Sequence, residues 1–201
     1  MPLVLVAIVG IALIAGIVAL ANYLFSNNKA SNVGNVTKVT PRDELLKLSN
    51  SRSVKMTVRG PIVANEEFRS YSIIISPNMR EYKKYTGYLD DTKFERVYGN
   101  SMKAYQEVVY ALDKAAMTKP GKAKPGSADD VDDVRGICAT GKVYEYEILD
   151  YDRSVYRAWT STCKGSPGTF GANVAQVSNL FIKQIPEEDR PRTERGARRL
   201  F

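Results

Sequence analysis

Leu3 to Phe25 reads LVLVAIVGIALIAGIVALANYLF, 23 consecutive residues without a charge. As a helix rising about 1.5 Å per residue it would span about 34 Å, enough to cross a hydrocarbon layer about 30 Å thick. The run therefore predicts a transmembrane helix, and whatever follows must fold beside a membrane. A cleaved leader would need a basic start, a shorter apolar core and a small-residue junction. No Lys or Arg precedes Lys29, and no Cys follows the run to carry a lipid. Ala12 with Gly16, and Ala15 with Ala19, could admit a second helix closely.

The expected organisation is an anchor over 1–26, a polar linker over 27–39, an α+β domain over 40–186 and a disordered basic tail over 187–201. Apolar content of 44% and charged content of 25% suit a folded domain of about 150 residues rather than a disordered stalk. The net charge of +7 points to acidic surroundings such as headgroups or anionic polymers. Nucleic acid is an unlikely partner, because the basic residues are dispersed and an anchor limits access.

Within the domain, Thr40 followed by Pro41 marks a helix start. Strands are expected over Ser53 to Gly60, Arg69 to Ser76 and Arg80 to Tyr88, then a helix over Ser101 to Met117. The Lys/Pro/Gly stretch Thr118 to Ser127 reads as a linker. RGICATG, KVYEYEIL and RSVYRAWTST are three further strand candidates, and Ala172 to Ile185 has the apolar spacing of a second long helix. Tyr71 aligns with Tyr144 and Arg80 with Arg153 when the halves are superposed. This order predicts a duplicated βββα unit, with halves at 40–117 and 127–186 and an antiparallel sheet carrying its helices on one face.

The chain has one Trp and two Cys, and WTSTC brings Trp159 and Cys163 together. A four-residue hairpin loop at Asp150 to Arg153 would set Leu149 opposite Ser154, Ile148 opposite Val155, Tyr146 opposite Arg157 and Tyr144 opposite Trp159. That register places Trp159 on an aromatic face and Cys163 opposite Thr140, near Cys138. A bulge at Gly141 would bring the sulfurs close enough for a disulfide, which needs Cα atoms within about 7 Å. Two separate buried thiols are the alternative.

Two arguments disagree about the side of the membrane. Lys29, Lys38 and Arg42 follow the helix, which favours a cytoplasmic domain. A bonded Cys138 and Cys163 requires an oxidising compartment, and the Asn/Ser-rich spacer suits a tether on the outside. The expectation adopted is a single-pass chain with its domain outside.

No His occurs, which removes Ser-His-Asp and Cys-His mechanisms and His-ligated zinc. Two Cys cannot build a structural zinc site, no phosphate-loop motif is present, and no cofactor is implied. Ser26 and Lys29 match SxxK only in the tether. Asp129, Asp130, Asp132 and Asp133 lack calcium-loop spacing and read as a solvated helix start. Glu145 and Glu147 share one strand face and are expected to meet solvent. Arg195, Arg198 and Arg199 precede Leu200 and Phe201, a basic-apolar end that could touch lipid or a partner.

The segments YSIIISPNMREYKKYTGY, AYQEVVYALDKA, CATGKVYEYEIL, WTSTC and VSNLFIKQI together resemble single-pass anchored domains of reduced-genome, host-dependent bacteria. The likeness covers about residues 50–185. It implies a bacterial surface protein and no particular activity. The expected function is a non-catalytic binding or assembly module that meets another envelope protein or an anionic surface polymer. The alternatives are a carboxylate hydrolase that works without His, and an inhibitor of secreted proteases presenting the loop Lys119 to Pro125.

Overall fold

The computed structural model describes residues 39–121, 134–166 and 168–191. The apolar run at Leu3 to Phe25, the Asp129 to Asp133 cluster and the Arg195, Arg198 and Arg199 tail lie outside them. Among the described residues no helix is long and apolar enough to cross a membrane.

Among the described residues the domain is α+β, with a six-stranded antiparallel sheet, three α-helices and a short 3-10 helix at Gly87–Leu89. Helix α1 covers Pro41–Leu46, α2 Met102–Lys114 and α3 Val174–Ile182. The strands are β1 (Arg52–Arg59), β2 (Ser70–Ile75), β3 (Met79–Thr86), β4 (Asp91–Gly99), β5 (Val143–Asp150) and β6 (Arg153–Ser161). Their order across the sheet is β4-β3-β2-β1-β5-β6.

Each helix begins where a side chain can accept a free backbone N–H. Thr40 caps α1 with a reciprocal bond from Asp43, Ser101 accepts from the Ala104 N–H, and Asn173 accepts from the Gln176 N–H. The helices bury Leu45, Tyr105, Val109, Leu112, Val177 and Phe181 in one core. Strand alternation supplies the other half: Val54, Met56 and Val58 from β1, Ile73 and Ile75 from β2, and Tyr146 and Ile148 from β5. All three helices thus cover one sheet face. Arg42 grips the Asp113 carboxylate with Nε and Nη2, at 2.7 and 2.8 Å, and so ties α1 to α2.

The duplicated βββα unit is not supported. Among the described residues the first half holds four strands and the second holds two. Strand β4 is the addition, an exposed edge whose charged residues Asp91, Lys93, Glu95 and Arg96 leave little apolar alternation to read. The missing strand is RGICATG, which folds as turns, with Gly136 at a φ of 72° and Cys138 drawn into a disulfide.

The β5–β6 register differs from the expected one beyond the hairpin end. Leu149 does oppose Ser154, but Ile148 opposes Tyr156, so Val155 is an extra, unpaired residue. From there Tyr146 opposes Ala158 and Glu145 opposes Trp159. A slip of one residue turns every later side chain to the other face. Trp159 therefore leaves the aromatic face and joins Val134, Cys138 and Val143 in a second, small cluster on the opposite side.

Candidate functional site

Cys138 and Cys163 form a disulfide with their Cα atoms 5.7 Å apart. Gly141 allows this closure, since a Cβ there would lie 2.2 Å from Thr162 Oγ1 and 2.8 Å from Cys138 Sγ. The staple therefore holds the small Trp159 cluster and the turn that leads into β5. Lys142, the last residue of that turn, is fixed with it: its N–H donates to Thr162 Oγ1 at 2.9 Å.

The sheet face opposite the helices carries ion pairs instead of an apolar stripe. Glu145 is only 3% exposed, which corrects the expectation that it meets solvent. Arg59 Nε and Arg157 Nη2 each donate to one of its carboxylate oxygens. Glu147 is paired with Lys55 at 3.0 Å. Long neighbouring cations on β1 and β6 cover these carboxylates, and a strand seen alone cannot reveal such cover. Guanidinium donors occupy both Glu145 oxygens, so this pair lacks the free acid and base that glycoside hydrolysis uses.

A cleft of about 810 Å³ opens where the helix layer ends, at the Arg59 end of β1. Four strand ends and a turn build its walls. Val58, Tyr71 and Tyr82 form the floor, because alternation on three adjacent strands points them to the helix side; Val58 and Tyr82 are themselves buried and Tyr71 is half-buried. Tyr71 and Tyr82 meet edge to face at 6.0 Å. Pro61 and Pro191 stand at the sides.

Pro191 is buried, and Glu187 to Pro191 folds onto the sheet, so residues 187–191 are ordered, contrary to the expected disorder from 187 onward. The Tyr98 hydroxyl donates to the Asp189 carboxylate, and Arg80 Nη1 donates to the Gln184 carbonyl at 3.0 Å. Burial, with Asp189 beside it, pushes the Tyr98 phenol up to about 12, so it remains a neutral donor at ordinary pH.

Every charged residue lining the cleft is a cation: Arg69, Lys84, Lys93 and Lys142. Lys84 lies over the rings of Tyr82 and Phe94, 5.3 and 4.4 Å from their centroids. Lys93 is paired with Asp91, just outside the lining. Arg69 is anchored differently, through Nη1 to the carbonyls of Glu66 at 2.5 Å and Phe68 at 2.9 Å. Carbonyl oxygens orient the guanidinium without cancelling its charge. Its Nε and Nη2 edge, the fork that receives a carboxylate or phosphate side-on, makes no hydrogen bond or ion pair among the described residues.

Of the residues singled out from sequence, the cysteines lie near this site and support it indirectly. Arg69 and Lys142 were passed over, since neither belongs to a motif and 73 positions separate them. The only local hint was a basic residue bordering a Tyr-rich strand. Of the loop Lys119 to Pro125, residues 119–121 are described, and they pair with the Phe170 segment: Gly121 N–H donates to Thr169 O at 2.7 Å and Gly171 N–H to Lys119 O at 2.9 Å. A Cβ on Gly171 would lie 2.1 Å from Pro120 O, so that contact needs glycine.

Comparison of the chain with protein-family models, with curated proteins and with solved structures finds no match.

Proposed function

We propose that the chain is a non-catalytic binding or assembly module, held outside a membrane by Leu3 to Phe25, and that the cleft at the end of the sheet receives an anionic partner in the envelope. The observation that carries this proposal is the cleft itself: an aromatic floor beneath charged residues of one sign, with the Arg69 fork oriented but unused. Its volume lies within the range of about 300–1,000 Å³ common to ligand sites. The disulfide supports the outward placement, because such bonds persist in oxidising compartments.

The test is a photo-crosslinking residue at Ile62, which is 48% exposed and follows the cleft residue Pro61. It is introduced into the full chain in intact cells. An adduct with an envelope protein or an anionic surface polymer is expected. Recovery of the unadducted chain, under conditions where the same crosslinker reacts elsewhere on the surface, would remove the proposal. Topology has its own test, a membrane-impermeant maleimide applied to intact cells. Labelling of Cys138 and Cys163 only after reduction is expected, whereas labelling without reductant and only in opened cells would place the domain inside.

A further inference from the structure

We infer that the occupant of the cleft is a long-chain acyl carboxylate, with its chain along Pro61 and Tyr71 and its carboxylate on Arg69 and Lys142; this rests on the cleft being the binding place. Three observations select that chemistry. The cleft surface left open is mostly apolar, with half-buried Tyr71 and exposed Pro61 on it, so a purely polar polyanion would forgo the gain from covering it. The rim offers Arg69 with a free side-on fork, together with Lys142, which has no ion pair among the described residues. A carboxylate fits the fork with two parallel N–H···O bonds, while the ammonium adds a point charge.

The third observation sets the acyl chain above a peptide. Extended peptides are held mainly by backbone hydrogen bonds along an open strand edge. The floor strands β1, β2 and β3 are each paired on both sides, and the free-edge strand β4 contributes only Lys93 to the lining. Without a free backbone row a peptide would be gripped by side chains alone. An acyl chain needs only apolar contact and one anchored charge, which this cleft supplies.

The experiment uses the full chain in a peptide-belted membrane particle and a dodecanoate probe that carries a photoreactive diazirine in its chain. Labelled peptides are mapped by mass spectrometry. Adducts are expected on the segments that hold Pro61, Tyr71 and Tyr82. At least a fivefold loss is expected in the variant carrying Arg69→Gln and Lys142→Gln, and with a probe of equal length ending in trimethylammonium. Both substituted residues lie at the rim, and an unchanged far-ultraviolet spectrum and melting point will show that the variant folds.

Equal labelling by the two probes, or adducts confined to Leu3 to Phe25, would overturn the inference. Binding of polyglutamate that depends on Arg69 and Lys142, without dodecanoate labelling, would also overturn it while leaving the anionic cleft standing. Binding of neither would remove both.

Discussion

The helix-covered part of the sheet and its uncovered end present the same kind of surface, yet they serve different purposes. Under the helices, Met56, Tyr146 and Phe181 are fully buried, and Phe170 stacks on Tyr146 at 4.3 Å. Past the helix ends the same face continues as Val58, Tyr71 and Tyr82, but above them stand cations and an open volume. The first region earns its apolar surface in folding. At the second, Val58 and Tyr82 are covered as well, but Tyr71 stays half-buried and Pro61 exposed, and apolar surface left open on a folded domain marks a site of interaction.

The largest expected effect falls on the covered region. Met56→Ala should lower stability by about 2–5 kcal/mol in urea titration, since the surrounding core cannot close the gap. Tyr71→Ala, at the half-buried floor of the cleft, should cost clearly less. Equal losses would break the distinction, for then the cleft floor would be as much a part of the folding core as Met56. Next is the staple beneath the cleft turn. Replacing both cysteines, Cys138→Ser with Cys163→Ser, should cost about 3 kcal/mol on the loop-entropy account and weaken ligand binding as Lys142 loosens.

Glu145→Ala should cost about 1–3 kcal/mol by leaving Arg59 and Arg157 without their shared anion, while leaving dodecanoate labelling unchanged. A parallel loss of labelling would mean that the two sheet faces are coupled.

Acid should separate the regions further. Arg42 holds the Asp113 carboxylate below its usual range, chiefly through the direct hydrogen bond. A carboxyl group whose folded pKa is depressed contributes stability above its unfolded value of about 3.9 and loses it as pH falls through the folded value. Between pH 5 and pH 3 the native chain should lose more stability than Asp113→Asn does. The difference will be small because Arg42 is 65% exposed and water screens the pair. The smallest stability effect belongs to Arg69→Gln, at under about 0.5 kcal/mol for a surface position, although it should remove most of the anion binding. A large stability loss there would recast Arg69 as part of the scaffold.

Much of the fold was legible because it is written between near neighbours. Thr40 before Pro41 gave the first helix start, and the spacing of Tyr105, Val108, Val109 and Leu112 gave α2. Tyr and Ile alternation gave β2, and the hairpin expected at Asp150 to Arg153 joined β5 to β6, although Asp150 and Arg153 pair and only Tyr151 and Asp152 form the loop. The cysteine pairing followed from that hairpin, even though the register behind it was one residue off. Strand β4 escaped because an exposed edge carries charges on both faces and leaves no periodic signal.

The sequence by itself determined the three helices and five of the six strands, that two cysteines could meet, and that no histidine chemistry is available, because these depend on residue type and on spacing within a few turns. Tertiary structure alone decided the face of Trp159, through one unpaired residue at Val155, and the burial of Glu145 between Arg59 and Arg157. It alone also brought Arg69 and Lys142 to one rim, by pairing β1 with both β2 and β5. Long-range strand pairing sets such neighbours, and its register is a property of the whole sheet rather than of any single strand.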